Sequence, residues 1–143
     1  LAAPVLAAEP GVRELMKQAV EPTAAVFWDA GRVPPEGETA AEAADRWRAA
    51  AGAAESLQAY AQVLSQAPYA QPGEWRDFTA MMGQAAASGR AATQARDMDA
   101  AFEAGGRLYD ACNGCHSQYM QSGPSVASPA PITAPPAPIG EQK

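Results

Sequence analysis

Hydrophobic positions recur along this chain with the 3.6-residue period of helices, and no stretch makes a convincing strand. Val12, Leu15, Met16, Ala19, Val20, Thr23, Val26 and Phe27 form one apolar or small stripe, which predicts a first helix over 12–29. Pro22 lies inside it. Proline lacks an amide hydrogen and crowds the preceding turn, so a kink or division is expected there. Gly31 to Gly37, with Pro34 and Pro35, reads as a loop. A second helix starts at Thr39, because Thr39-Ala40-Ala41-Glu42 is a capping box that satisfies the first orphan amides. Ala43, Trp47, Ala50, Ala54, Leu57, Ala61 and Leu64 then alternate spacings of four and three, the seam of a bundle. Pro68 to Gly73 is the next loop. The third helix begins near Glu74 and repeats the seam at Trp75, Phe78, Met82, Ala85, Gly89 and Ala92. Gly89 is expected to weaken it by roughly 1 kcal/mol relative to alanine. Asp97 or Asp99 caps a fourth helix, with Phe102, Gly105, Leu108, Tyr109, Cys112, Cys115, His116 and Tyr119 on one side.

Four such helices with short connections predict an all-α fold, an antiparallel four-helix bundle over 12–120. Residues 1–11 are expected to be a flexible segment. The opening Leu1-Ala2-Ala3-Pro4-Val5-Leu6-Ala7-Ala8 is similar to the end of a secretory signal. Residues 121–143, rich in Pro and Ala, are expected to be a disordered tail. Abundant alanine and few aliphatic β-branched residues also favour helix over sheet. The net charge of −6, from 10 basic and 16 acidic residues, argues against nucleic acid, whose phosphates are neutralised by Lys and Arg. No apolar run reaches the ~18 residues of a membrane span.

Both cysteines and the single histidine of the 143 residues lie together, as Cys112-Asn113-Gly114-Cys115-His116. Cys-x-x-Cys-His is the attachment signature of a c-type haem. Two thiols hold the porphyrin edge as thioethers, and the adjacent imidazole reaches the iron. At ~100° per residue, positions 112, 115 and 116 share one helix face. A bare Cys-x-x-Cys also suits a redox pair, a disulfide or half a zinc site. A zinc site made only of Cys and His fails for want of a fourth ligand in the chain. A thioredoxin-like pair is expected after a strand, and none is visible. Gly105 lies two turns before Cys112 on nearly the same face, and reads as room for haem or for a neighbouring helix.

Four helices with this motif on the last resemble the class II c-type cytochromes, the cytochrome c′ and cytochrome c-556 group. The resemblance covers residues 12 to 120 and implies one covalently bound haem c, with Cys112 and Cys115 as thioethers and His116 as proximal iron ligand. Tyr119 matches an aromatic common at that place and is a candidate haem contact. The following residue, often Arg in cytochromes c′, is Met120 here, which departs from the gas-binding pattern. On the first helix the family carries an Arg that meets a haem propionate, and one turn later the residue facing the iron. Arg13 and Met16 are the candidates. The family's usual spacing is one residue longer and would point to Lys17. Met16 lies on the apolar stripe and Lys17 does not, so Met16 is favoured as distal ligand. Trp28, Trp47, Trp75, Phe78 and Phe102 are candidates to pack on porphyrin or to serve as plain core.

The resemblance implies a periplasmic electron carrier rather than an enzyme, meeting other redox proteins transiently. A homodimer is compatible with the pattern. With no second histidine, bis-histidine ligation within one haem unit is excluded. The alternative is a five-coordinate protein similar to cytochrome c′ that binds NO or CO. A third reading is a colourless helical interaction domain with a Cys112–Cys115 disulfide.

Overall fold

The computed structural model describes residues 11–120, and every regular element among them is helical. The readings for 1–10 and 121–143 lie outside the described residues. The elements are α1 (Val12–Leu15), a π-helical turn (Met16–Val20), α2 (Glu21–Asp29), α3 (Ala40–Leu64), α4 (Trp75–Gln94) and α5 (Met98–Tyr119). Leu15, Val20 and Glu21 at the first two joints all keep right-handed helical dihedrals, so 12–29 is one continuous rod. Four rods therefore stand where four helices were expected.

The π-turn is the structural answer to Pro22. The Glu21 amide donates to the Met16 carbonyl, five residues back, and Pro22 then sits in the first turn of α2. A first-turn residue needs no amide hydrogen, so the ring is tolerated there. The turn also serves the apolar stripe. Steps of four residues drift by about 40° each on a regular α-helix. The wider turn takes up that drift between Met16 and Val20, and Val20, Ala24, Phe27 and Trp28 all end up buried.

The caps follow the sequence closely. The Glu42 amide donates to Thr39 Oγ1 at 3.2 Å, and the Thr39 amide to Glu42 Oε2 at 2.8 Å. Asp97, not Asp99, caps α5, its carboxylate accepting from the Ala100 amide at 3.0 Å. The same residue closes α4: its amide reaches the Ala92 carbonyl at 2.9 Å, and the Arg96 amide reaches Thr93 at 3.1 Å. This paired closure needs a left-handed residue, and Arg96 takes it with φ 53° where glycine is usual. Two residues, Ala95 and Arg96, thus separate the end of one helix from the cap of the next.

α3 packs on α4, α4 on α5, and α2 on both α3 and α5. Side-chain pairs give the running order. Along the first rod, Glu21 acts on His116, Trp28 reaches Gly105 and Gly31 meets Phe102. Along α4, Phe78 meets Gly114 at one end, and Phe27 meets Gly89 at the other. Two glycines read as weak points or vacancies are close contacts instead. A Cβ at Gly89 would strike the Phe27 ring. A Cβ at Gly105 would lie 3.0 Å from Trp28, whose indole N–H donates to the Gly105 carbonyl at 3.0 Å. The space at Gly105 therefore belongs to a neighbouring helix. No helix among the described residues is long and apolar enough to cross a membrane.

Candidate functional site

α5 brings Cys112, Cys115 and His116 to one face, all three half-buried, and both thiols are free. Val12, Leu15 and Met16 of the first rod pack against the same core as Cys112, Cys115 and Tyr119. Lys17 is exposed. The helical-face argument for Met16 over Lys17 therefore agrees with the observed burial. Arg13 is also exposed, on the outside of α1.

Burial sets the protonation of this face. It pushes the Cys112 thiol up to about 12, with the neighbouring Cys115 adding to the rise. The Cys115 thiol is pushed up to about 11, again by burial. Burial lowers the pKa of His116, while the carboxylate of Glu21 works in the opposite direction. Near neutral pH the site thus presents two uncharged thiols and favours an uncharged imidazole with a free lone pair. A redox or nucleophilic cysteine works through its thiolate, which enzymes stabilise with positive charge or a helix N-terminus. These cysteines lie near a helix C-terminus and have the opposite shift. The chemistry of the donor set fits a covalently attached haem better: two unpaired thiols at i and i+3, then an imidazole able to donate to iron. Among the described residues no group of three His, Cys, Asp or Glu side chains is placed to hold a metal ion by itself.

His116 stands in the last turn of α5, where helix ends lack hydrogen-bond partners and fray. Here the turn is tied down on several sides. The Tyr119 hydroxyl donates to the Pro72 carbonyl at 2.6 Å, and its ring meets Trp75 edge-on at 5.0 Å between centroids. Trp75 in turn donates its indole N–H to the Leu64 carbonyl at 2.5 Å, linking the turn to the end of α3. The Gln118 amide bonds to the Glu74 carboxylate. Gly73 lets the loop pass under the phenol: its φ is +85°, and a Cβ there would lie 3.0 Å from the Tyr119 hydroxyl. On the flank of the motif, Phe78 of α4 lies against Gly114.

The aromatic candidates divide. Trp75 and Phe78 adjoin the last turns of α5. Trp28 packs edge-on to Tyr109, at 6.4 Å between centroids. Phe102 lies against Gly31, and Trp47 belongs to a separate alanine cluster. Sequence reasoning missed Glu21, whose partner is 95 positions away, and the contact between Phe78 and Gly114. Only the small size of Gly114 inside the motif hinted at the latter. Compared with family models, curated proteins and solved structures, the chain matches none.

Proposed function

We propose that this chain is a mono-haem c-type cytochrome of class II type, exported to the periplasm and acting in electron transfer. In this reading the helices form an antiparallel four-helix bundle, and the haem is attached to α5. The observation that carries it is one half-buried face holding two free thiols at i and i+3 and an imidazole at i+4. The motif suggests the chemistry, and Met16, partly buried on the first rod against the same core, is the candidate second donor.

Cys112 and Cys115 would hold the haem by thioether bonds, His116 would donate to its iron, and Met16 is the proposed second donor. Bound haem supplies a one-electron couple, and a thioether ligand raises its potential. Partial burial of His116 and Met16 would limit water around a bound haem, which disfavours the extra charge of the oxidised form. The Glu21 carboxylate, whose charge acts on His116, pulls the other way. Arg13, exposed near the head of the rod, is the candidate partner of a propionate. The proposed partners are other redox proteins, met transiently across a small interface.

The test is an absorption spectrum of protein made with haem-maturation machinery, oxidised, reduced and with CO added. Sharp ferrous bands unchanged by CO are expected, and Met16→Ala should make the protein bind CO. A wild-type spectrum that CO shifts would replace this reading with a five-coordinate gas-binding protein. The absence of a Soret band would end the haem reading altogether.

A further inference from the structure

The residue before the second cysteine of the motif is a glycine, and the structure gives it a specific neighbour. A Cβ built on Gly114 would lie 2.5 Å from Phe78 Cε1 and 3.1 Å from its Cδ1 and Cζ. Three ring atoms of α4 therefore occupy the place of a side chain on α5. Gly106, on the same helix two turns earlier, has nothing within 4 Å of its Cβ position. The two glycines share a helix and a host segment but differ in what stands over them.

We infer that Phe78 is a positioning residue for the Cys112, Cys115 and His116 face: its ring, seated on Gly114, fixes the rotation of α5 and so the direction of all three donors. The physical basis is helix geometry. Residue 114 lies about 200° around from 112 and 160° from 116, so it is nearly opposite the donor face. Pressing a ring against that back surface sets the angle at which the front meets the first rod. Cores are close-packed, so a methyl group added at this contact cannot be absorbed without moving a ring or a helix. The glycine is demanded by α4 and not by the attachment chemistry, which uses the flanking sulfurs. This inference rests on the haem reading for its consequence, but the contact itself does not.

The experiment is a double-mutant cycle with an internal control. Gly106→Ala, Gly114→Ala, Phe78→Ala and the double variant Gly114→Ala/Phe78→Ala are made in the full chain. In the haem-free protein, the rate at which iodoacetamide labels Cys112 and Cys115 is followed by peptide mass spectrometry. On an unobstructed helix, glycine to alanine favours the helix by roughly fivefold, so Gly106→Ala should leave labelling unchanged or slower. Gly114→Ala should speed it on the order of tenfold, because local opening exposes the thiols. On the Phe78→Ala background the same change should leave labelling unchanged or slower, as at Gly106, since the obstructing ring is gone. In protein loaded with haem, the midpoint potential should follow the same pattern: shifted by Gly114→Ala alone, unshifted by it when Phe78 is already alanine. If Gly114→Ala changes nothing, or changes labelling equally with and without Phe78, the inference is overturned. Should Gly114→Ala fail to fold, recovery of a folded chain in the double variant supports it, and failure of both overturns it. A wild-type chain that takes up no haem defeats the proposed function, yet the labelling cycle still decides the contact.

Discussion

The two ends of this molecule are packed by different rules. At the motif end, one cluster gathers large side chains, with Trp28, Trp75, Tyr69, Leu57, Leu64 and Leu108 among them, and draws in the half-buried Cys112, Cys115, Met16 and Tyr119. At the other end, a second cluster consists of Trp47 and the small residues Ala30, Ala50, Ala92 and Ala101. There the closure is polar: Arg46 donates to both carboxylate oxygens of Glu38, at 2.7 and 3.2 Å, and lies over the Trp47 ring at 4.9 Å. Alanines let backbones approach until little space remains, whereas a mixture of large and half-covered side chains leaves donors within reach. One end is a fastening, and the other keeps a chemically usable face.

Breaking the division requires a residue that serves the whole stack. Phe27 is buried to 1% exposure and seated on Gly89 of α4. Phe27→Ala should cost about 3–5 kcal/mol in urea unfolding, the largest single effect expected here. A loss confined to one end, seen as two separate transitions, would show that the clusters are independent. The second effect belongs to the motif end alone. Both thiols have folded values raised above their ordinary 9.0, to about 12 and about 11. Their contribution is complete below pH 9 and is lost as pH rises toward those values, because the unfolded chain gives up its protons first. The haem-free chain should therefore lose stability from pH 9 upward, and Cys112→Ala/Cys115→Ala should flatten that slope. The third and smallest effect belongs to the far end. The Arg46 side chain, by hydrogen bonding and charge, holds the Glu38 carboxyl below its ordinary 4.5. That contribution is present above pH 4.5 and disappears as pH falls through the lower folded value. Trp47 fluorescence should report the acid step, and Glu38→Gln should remove it.

Much of this was legible in the chain itself. The capping box at Thr39 and the 12–29 rod follow from local chemistry that tertiary packing does not override. So does the choice of Met16 over Lys17 as the less exposed position, because a helix face is a local property. The π-turn was not legible, although its cause was: Pro22 announced a disturbance without saying which form it would take. Gly89 looked like a local weakness and Gly105 like a vacancy, and Gly114 carried no reading of its own. Their meaning lies in Phe27, Trp28 and Phe78, between 36 and 77 positions away, and no periodicity encodes such a pairing. Glu21 near His116 is the same kind of long-range fact. Of the candidate site, the residues that share one face of α5 were readable and their supports were not.

The three-residue connection between α4 and α5 has a consequence in time. Arg96 closes one helix while Asp97 opens the next, so the chain between them pays almost no loop-closure entropy. Pairings between segments so near in sequence form faster than those that must await a distant partner. The α4–α5 hairpin should gain amide protection before the first rod does, and pulsed hydrogen exchange during refolding would measure the order. If 12–29 lags behind 75–119, the newborn chain passes through an interval in which its cysteines already stand on a formed helix and their eventual cover has yet to arrive.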